Sequence, residues 1–439
     1  MRFRTLLAGA ALVAAALPGA AAARPTDGGP SGYAPGSLVC TSDVGATLRV
    51  WWSDTPGDAD APAGADGDCA THPPWIDLTG QSALHALDAA AALQFAPPPA
   101  DGELGGDGRY DIYVLDLGAR DAGLLGLAEP DPGVGRTSSL LVDESYVDEL
   151  PPGYATTPED ELRVTVAHEL FHGIQFGMGA IALPQWILEG TAVWFEAHAQ
   201  PSIADNVGYL VKHLTGDRGR LPLWVQGGCG DGCWAPGLPR DTVHVYATWL
   251  FFWSAADERG DISFVRRLVA GLAARPAEAD FGLAALGRAA GGDLAVRLRE
   301  YALALVLRQR LGALALPAAL ARGPGHEPGA TPARPASGRL WPLQPLFVPV
   351  AWRPGGARSV AVQTQPLAAP ALRRALALVL PDGRALRLPR VSGDALVFDL
   401  PAGASGGTVV LASTRDWWPL RYRVSVLRPA DTPAPLGGR

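Results

Sequence analysis

Apolar residues alternate with other residues at Leu48, Val50 and Trp52, and again across 111–117, where Asp-Ile-Tyr-Val-Leu-Asp-Leu repeats with the period of a half-buried strand. A further strand is expected at Ser139 to Val142, after a Gly-rich connection. Between the first two the apolar spacing lengthens, and Ser82 to Phe95 reads as a helix. Residues 53–74 are rich in Pro, Gly, Asp and Ala and read as a surface loop, whose aspartates lack the regular spacing of a calcium loop. Thr157 and Pro158 then precede Glu159, Asp160 and Glu161: a cap, a first-turn proline and acids at the positive end of a helix. That helix is expected to run from about 158 through His172 into Phe176. Another starts after Pro184, a third covers about 241–256, and further helical patterns occupy about 261–311. Strands therefore come first and helices follow.

Residues 312–340, rich in Ala, Gly and Pro, mark a linker. Beyond it, short alternating runs at 359–363, 375–380, 385–388, 395–400, 408–411 and 422–426 are separated by turn signals such as Pro381-Asp382-Gly383. Short strands at such spacing predict a small all-β sandwich over 341–439. The fold class expected is α+β, with a catalytic domain over 38–311 made of a small N-terminal sheet and a helical part. A length of 439 residues accommodates both domains.

The first residues change the picture of where the chain works. Arg2 and Arg4 precede an uncharged apolar run from Leu6 to Leu17 and then four alanines, a secretory signal layout that predicts a signal peptide over 1–23, cleaved near Ala23. The run is too short for a membrane span, and no later stretch qualifies, so the mature chain is expected to be secreted, extracellular or periplasmic. Residues 24–37 read as a flexible leader. The net charge of -8 argues against nucleic acid or an anionic membrane as partner. In an exported chain the four cysteines are disulfide candidates. Cys229 with Cys233 is the simplest pairing, leaving Cys40 for Cys69.

The chemistry sits in Val166-Ala167-His168-Glu169-Leu170-Phe171-His172, an H-E-x-x-H pattern inside an expected helix. Histidines four apart lie on one helical face, so both imidazoles reach one metal ion at about 2.0 to 2.1 Å. Glu169 then stands where it takes a proton from zinc-bound water, which has a pKa of about 7 in catalytic sites of this kind. Two incidental histidines are the plainer reading. The apolar flanks Val164, Val166, Leu170 and Ile174 weigh against it, because they bury a face on which unpaired imidazoles and a carboxylate are costly.

Downstream, Trp186-Ile187-Leu188-Glu189-Gly190-Thr191-Ala192-Val193-Trp194-Phe195-Glu196 places Glu189 in an otherwise apolar first turn. The two segments together resemble the gluzincin zinc peptidases, in which a second helix carries a glutamate ligand. They look closer still to a family of secreted bacterial metalloprotease-like proteins that pair Ala-His-Glu-x-x-His with Glu-Gly-Thr-Ala-x-Trp. The likeness covers residues 164–196. It implies a zincin-like fold, with Zn2+ held by His168, His172 and Glu189 and Glu169 as general base. It also implies an oxyanion-stabilising donor further on, for which Tyr246 is the candidate and His244 the rival.

This chain departs from the family at several points. Sixteen residues separate His172 from Glu189, which requires a tight turn near Gly177, Gly179 and Pro184. No acid stands three or four residues after Glu189, so Glu196, two turns on, is left either to orient a ligating histidine or to compete as a ligand. The metzincin pattern needs Gly and His where Gln175 and Met178 stand, and is excluded. The aminopeptidase Gly-x-Met-x-Asn strand is also absent before the motif. The expectation is thus a secreted zinc endopeptidase, or a peptidase of undefined positional preference, acting on protein or peptide, with strand 139–142 as the edge on which an extended peptide pairs. Two alternatives stay open: a secreted binding or surface-interaction protein that retains a zincin fold, and a zinc hydrolase of a non-peptide amide. Trp417 and Trp418 read as core or rim aromatics rather than a carbohydrate platform.

Overall fold

The computed structural model describes residues 24–27, 32–121, 123–131, 136–146, 156–180, 183–214, 216–225, 241, 243–274, 282–307, 326–327, 329–353, 359–365, 369–414, 419–428, 431 and 433. Mixed helices and sheets make it an α+β chain. The expected signal peptide, the Cys229 and Cys233 pair, Trp417, Trp418 and much of the expected linker lie outside the described residues. No described helix is long and apolar enough to cross a membrane. The chain forms two compact units.

The first unit takes in residues through Leu183, Thr191–Asn206 and a short segment at Leu272–Pro276. It holds strands β1 (Val39–Val44), β2 (Leu48–Ser53), β3 (Tyr110–Leu115), β4 (Gly126–Pro130) and β5 (Ser138–Asp143), with helices α1 (Pro74–Ala92) and α2 (Pro158–Gly177). The strands form one sheet in the order β1-β2-β3-β5-β4. β2, β3 and β5 run parallel, and β1 and β4 add antiparallel margins. β3 and β5 are buried along their whole length, as strands covered on both faces must be. α1 begins eight residues before the expected helix, at Pro74, because a proline at the first turn needs no amide partner. The disulfide Cys40–Cys69 ties β1 to the loop that precedes α1.

Two expectations are corrected here. β5 lies between β3 and β4, so its backbone is committed on both sides and the expected edge at 139–142 is not one; among the described residues the margin on that side of the sheet is β4. The stretch 24–37 is also not a loose leader throughout, since Arg24 and Tyr33 are buried and the Tyr33 hydroxyl donates to the Val114 carbonyl at 3.1 Å. An arginine in a Gly- and Pro-rich stretch reads as solvated until its carboxylate partners are known.

The second unit takes in Pro184–Gly190, Val207–Gly271 and Ala277–Arg439. Helix α3 (Gln185–Ala199) is continuous, with its first turns in this unit and the rest in the first. Then come α4 (Asp205–His213), α5 (His244–Ala247), α6 (Trp249–Ala256), α7 (Ser263–Ala273), α8 (Leu283–Ala289) and α9 (Leu294–Leu307). The single helix expected over 241–256 is therefore two, joined at Thr248, whose hydroxyl donates to backbone carbonyls of Trp186 and Val245.

Strands β6 (Ala336–Leu340), β7 (Pro345–Ala351), β8 (Ser359–Gln365), β9 (Ala377–Val379), β10 (Ala385–Arg387), β11 (Arg390–Ser392), β12 (Ala395–Asp399), β13 (Gly406–Ala412) and β14 (Leu420–Leu427) follow, with α10 (Ala369–Arg374) inserted. They build two antiparallel sheets, β10-β9-β13-β7 and β11-β12-β8-β14-β6. Leu346, Val348, Leu378, Val409 and Leu411 of one share a buried cluster with Val360, Val362, Phe398, Tyr422 and Val424 of the other, which is a sandwich core. β7 carries two prolines, which an edge strand tolerates. α9 packs on β7 and β13, so the helices after 207 group with the sandwich and the compact units do not divide at 312–340.

At the end of β5, Asp143 is fully buried and accepts from the amides of Leu117, Gly118 and Ser145 at 2.7, 2.9 and 3.1 Å. Burial, then the hydrogen bond and charge of Glu144, push its carboxyl up to about 9, and Glu144 is raised as well. A folded-state value above the unfolded one means that the native chain holds the extra proton. Its contribution to stability is complete below the ordinary carboxyl value of about 3.9 and is lost as pH rises through about 9. Urea midpoints are expected to fall from pH 6 to pH 9, with a shallower slope in Glu144→Gln; an identical slope in that variant would overturn the assignment.

Candidate metal centre

α2 is set by its own first turn. The Thr157 side chain accepts from the Asp160 amide, Pro158 takes the first position, and Glu159, Asp160 and Glu161 meet the positive end. From that start every residue from Val164 to Phe176 is buried, His168, Glu169 and His172 included. One ligand-type atom from each of these three lies within 4.8 Å of the others.

The imidazoles converge. His168 Nε2 and His172 Nε2 are 3.0 Å apart, with ring planes at 84°. Behind them, His168 Nδ1 faces Glu196 Oε1 at 2.5 Å, and His172 Nδ1 faces Gln175 Oε1 at 2.7 Å. A ring that donates from Nδ1 keeps its lone pair on Nε2. Two imidazole nitrogens that converge beside a carboxylate are a donor set that could hold a metal ion, zinc among them.

Glu196 reaches this centre from α3, two turns after Glu189. It meets His168 at Nδ1, where an acceptor fixes the tautomer and orientation of a ligating ring. Burial raises its carboxyl to about 7, against the lowering effect of His168, while the charges of Asp205 and Glu169 add to the rise. Gln175 is itself held, its Nε2 donating to Thr191 Oγ1 at 2.8 Å. Gln175 and Thr191 were not among the expected site residues. A sequence signal existed for Thr191, which belongs to the Glu-Gly-Thr-Ala stretch, but its partner lies a whole turn-and-helix away.

The remainder of that stretch has equally local reasons. A Cβ on Gly190 would stand 2.2 Å from Thr248 Oγ1 and 2.8 Å from the Phe252 ring, so no larger residue fits. Trp194 is buried against Phe171 and Phe95, and Phe195 stacks on Phe171 at 4.7 Å, which fixes the later turns of α3 against α2.

Glu169 points to the sheet. Its Oε2 accepts the Ala128 amide of β4 at 2.8 Å. Close approach is possible because residue 126 is glycine: a Cβ there would stand 2.5 Å from Thr165 Cγ2 and 3.0 Å from Glu169 Cγ. The bonds Asp143 N to Leu125 O and Asp131 N to Thr137 O flank the β4 ladder. By alternation, Leu127 and Glu129 turn their backbone groups to β5, and Gly126 and Ala128 turn theirs to the open edge.

Glu189 is buried in the first turns of α3, within the second unit. In that unit Tyr246 is buried and stacks on Tyr209 at 5.3 Å. His244 is buried too, with Nδ1 3.3 Å from the His213 carbonyl, and burial pulls its pKa down to about 4, so its ring is neutral at pH 7. Beside it His213 Nδ1 and Asp241 Oδ2 form a buried pair at 2.8 Å that the sequence did not single out. Asp116, Asp143 and Glu144 make a second group of ligand type among the described residues. Asp143 there is taken up by backbone amides and serves the loop after β3.

No protein-family model matches the chain, and no curated protein sequence matches it significantly. The residues themselves carry the functional argument.

Thr191→Ala removes the hydroxyl that accepts from Gln175 Nε2 and so loosens the contact of Gln175 with the His172 ring. Zinc affinity measured by chelator competition is expected to fall about 10- to 100-fold, with Thr191→Ser close to the unaltered chain. Equal affinity in all three would remove Thr191 from the centre.

Proposed function

We propose that this chain is a secreted, zinc-dependent metallopeptidase of the gluzincin type, with a zincin-like catalytic part, acting on protein or peptide. One observation supports it above the others: the two Nε2 atoms of His168 and His172 converge beside Glu169 while both Nδ1 atoms are backed by oxygen acceptors. His168 and His172 would hold the ion, and Glu189 is the third ligand on the resemblance of Glu-Gly-Thr-Ala. A bound zinc ion supplies Lewis acidity, polarising a carbonyl oxygen and lowering the pKa of water.

The chain's own residues supply the rest. Glu169, oriented by the Ala128 amide, receives the proton from the attacking water and passes it to the departing amine. Glu196 and Gln175 keep the two imidazoles in one tautomer and one orientation. An extended peptide pairs with the margin of β4 at the Gly126 backbone and the Ala128 carbonyl, the Ala128 amide being held by Glu169, up to Pro130, which has no amide hydrogen to offer. Tyr246 is the proposed oxyanion donor, with His244, neutral at pH 7, as the other choice. A marginal strand without the amine-capturing Gly-x-Met-x-Asn segment suits an endopeptidase. Cleavage of a signal peptide near Ala23 places the chain outside the cytoplasm, where the Cys40–Cys69 disulfide persists.

Glu169→Gln keeps the shape and still accepts from Ala128. It is expected to retain zinc by metal analysis and to lose hydrolysis of a peptide library by about 10²- to 10⁴-fold. His168→Ala is expected to lose zinc, and a chelator to abolish digestion by the unaltered chain. Full activity in the Gln variant would end the general-base assignment.

A further inference from the structure

Arg24 is buried to 5 % exposure and its guanidinium sits among three carboxylates. Nε and Nη2 grip Asp131 in a two-pronged pair at 3.0 and 2.8 Å, and Nη1 meets Asp111 at 2.5 Å and also Asp101. The three acid side chains are themselves buried, at 0, 2 and 3 % exposure. Each belongs to a different part of the first unit. Asp101 lies in the connection between α1 and β3, and Asp111 is on β3, where it also receives Trp51 Nε1 of β2 at 2.8 Å and the Tyr113 hydroxyl. Asp131 directly follows β4.

β4 is thus held at two points. Arg24 pins its end at Asp131, and three residues back, about 10 Å along an extended strand, Ala128 donates to Glu169. Without the guanidinium, three buried carboxylates face one another with their shared cation gone, an arrangement that is strongly unfavourable. Asp111 is fixed within β3 by Trp51 and Tyr113, so the strain falls on Asp101, in its connection, and on Asp131, at the sheet margin where it ends β4.

We propose that Arg24 is a positioning residue that links the processed N-terminus to Glu169 through β4. It rests on the peptidase reading above and on cleavage after Ala23, which makes Arg24 the first residue of the mature chain. A chain cut there keeps the anchor; a chain cut one residue later does not.

The test compares four secreted chains: the unaltered one, Arg24→Ala, Arg24→Lys, and one beginning at Pro25. Amide exchange by mass spectrometry, zinc content, and kcat and KM on a peptide are measured for each. In Arg24→Ala and in the shortened chain, exchange over 126–131 is expected to rise about tenfold while α2 and the sandwich exchange as before. Zinc stays bound, kcat falls about 10²-fold, and KM changes little. Millimolar guanidinium ion restores part of kcat to Arg24→Ala and none to the unaltered chain. Arg24→Lys keeps the charge without the fork, so it stays folded and shows the same change confined to β4, smaller in size. Unchanged exchange at β4 overturns the proposal, as does loss of protection throughout the first unit together with zinc, which would mark Arg24 as a general support of the fold. Should the unaltered chain hydrolyse no peptide, the peptidase reading falls, and the exchange measurement alone still decides the role of Arg24.

Discussion

Two buried imidazoles brought together on one face of α2 are the constraint on which the rest of the structure depends. Burying such polar groups costs on the order of a few kcal/mol each unless they are hydrogen-bonded, and here the ring nitrogens have neighbours: the two Nε2 atoms stand 3.0 Å from each other, His168 Nδ1 faces Glu196 and His172 Nδ1 faces Gln175. The proposal of a metal centre rests on this convergence, because a cation where the two Nε2 atoms meet would be held by rings whose orientation is already fixed.

The same constraint gives a physical content to the second helix. Along α3, Gly190 admits Thr248 and Phe252, Thr191 holds Gln175, Trp194 packs on Phe171 and Phe95, and Glu196 orients His168. Each position answers to a distinct neighbour. What reads as a short signature in the sequence is a row of separate contacts, of which those of Thr191 and Glu196 bear on the two rings. No acid stands three or four residues after Glu189, and the carboxylate that meets His168 comes instead from Glu196, two turns after Glu189 on the same face.

How far the chain could be read in advance depends on the range of the forces involved. α2 was legible at both ends because caps, prolines and first-turn acids act within four residues. His168, Glu169 and His172 were legible because their spacing is that of one helical turn. β4 was not: five residues containing Gly126 and Pro130 look like a turn, and only the sheet margin makes them a strand. β6 lies in a stretch that composition marks as linker, and β7, within the expected sandwich, carries two prolines that break the alternation of a strand. Arg24 was misread because its burial is decided by aspartates 77 to 107 positions away, and Gln175 because its meaning depends on Thr191. Local chemistry was visible, and the tertiary partners that give it direction were not.

The topology of the first unit explains how an open edge and the His-Glu-His stretch come together without any long-range sequence signal. The chain leaves β3, runs outward to make β4, and turns back to insert β5 between the two. β4 is thereby the margin, antiparallel to its neighbour. α2 comes next in the chain and packs across β4 and β5, so the helix that bears His168 and His172 must cross the marginal strand. Unpaired margins invite unwanted strand pairing, and here β4 is short, ends in Pro130, and is clamped between Glu169 on one side and Arg24 on the other. A strand held in that way keeps its backbone groups in one place, and one of the two side chains that hold it, Glu169, is the residue for which the general-base role is proposed.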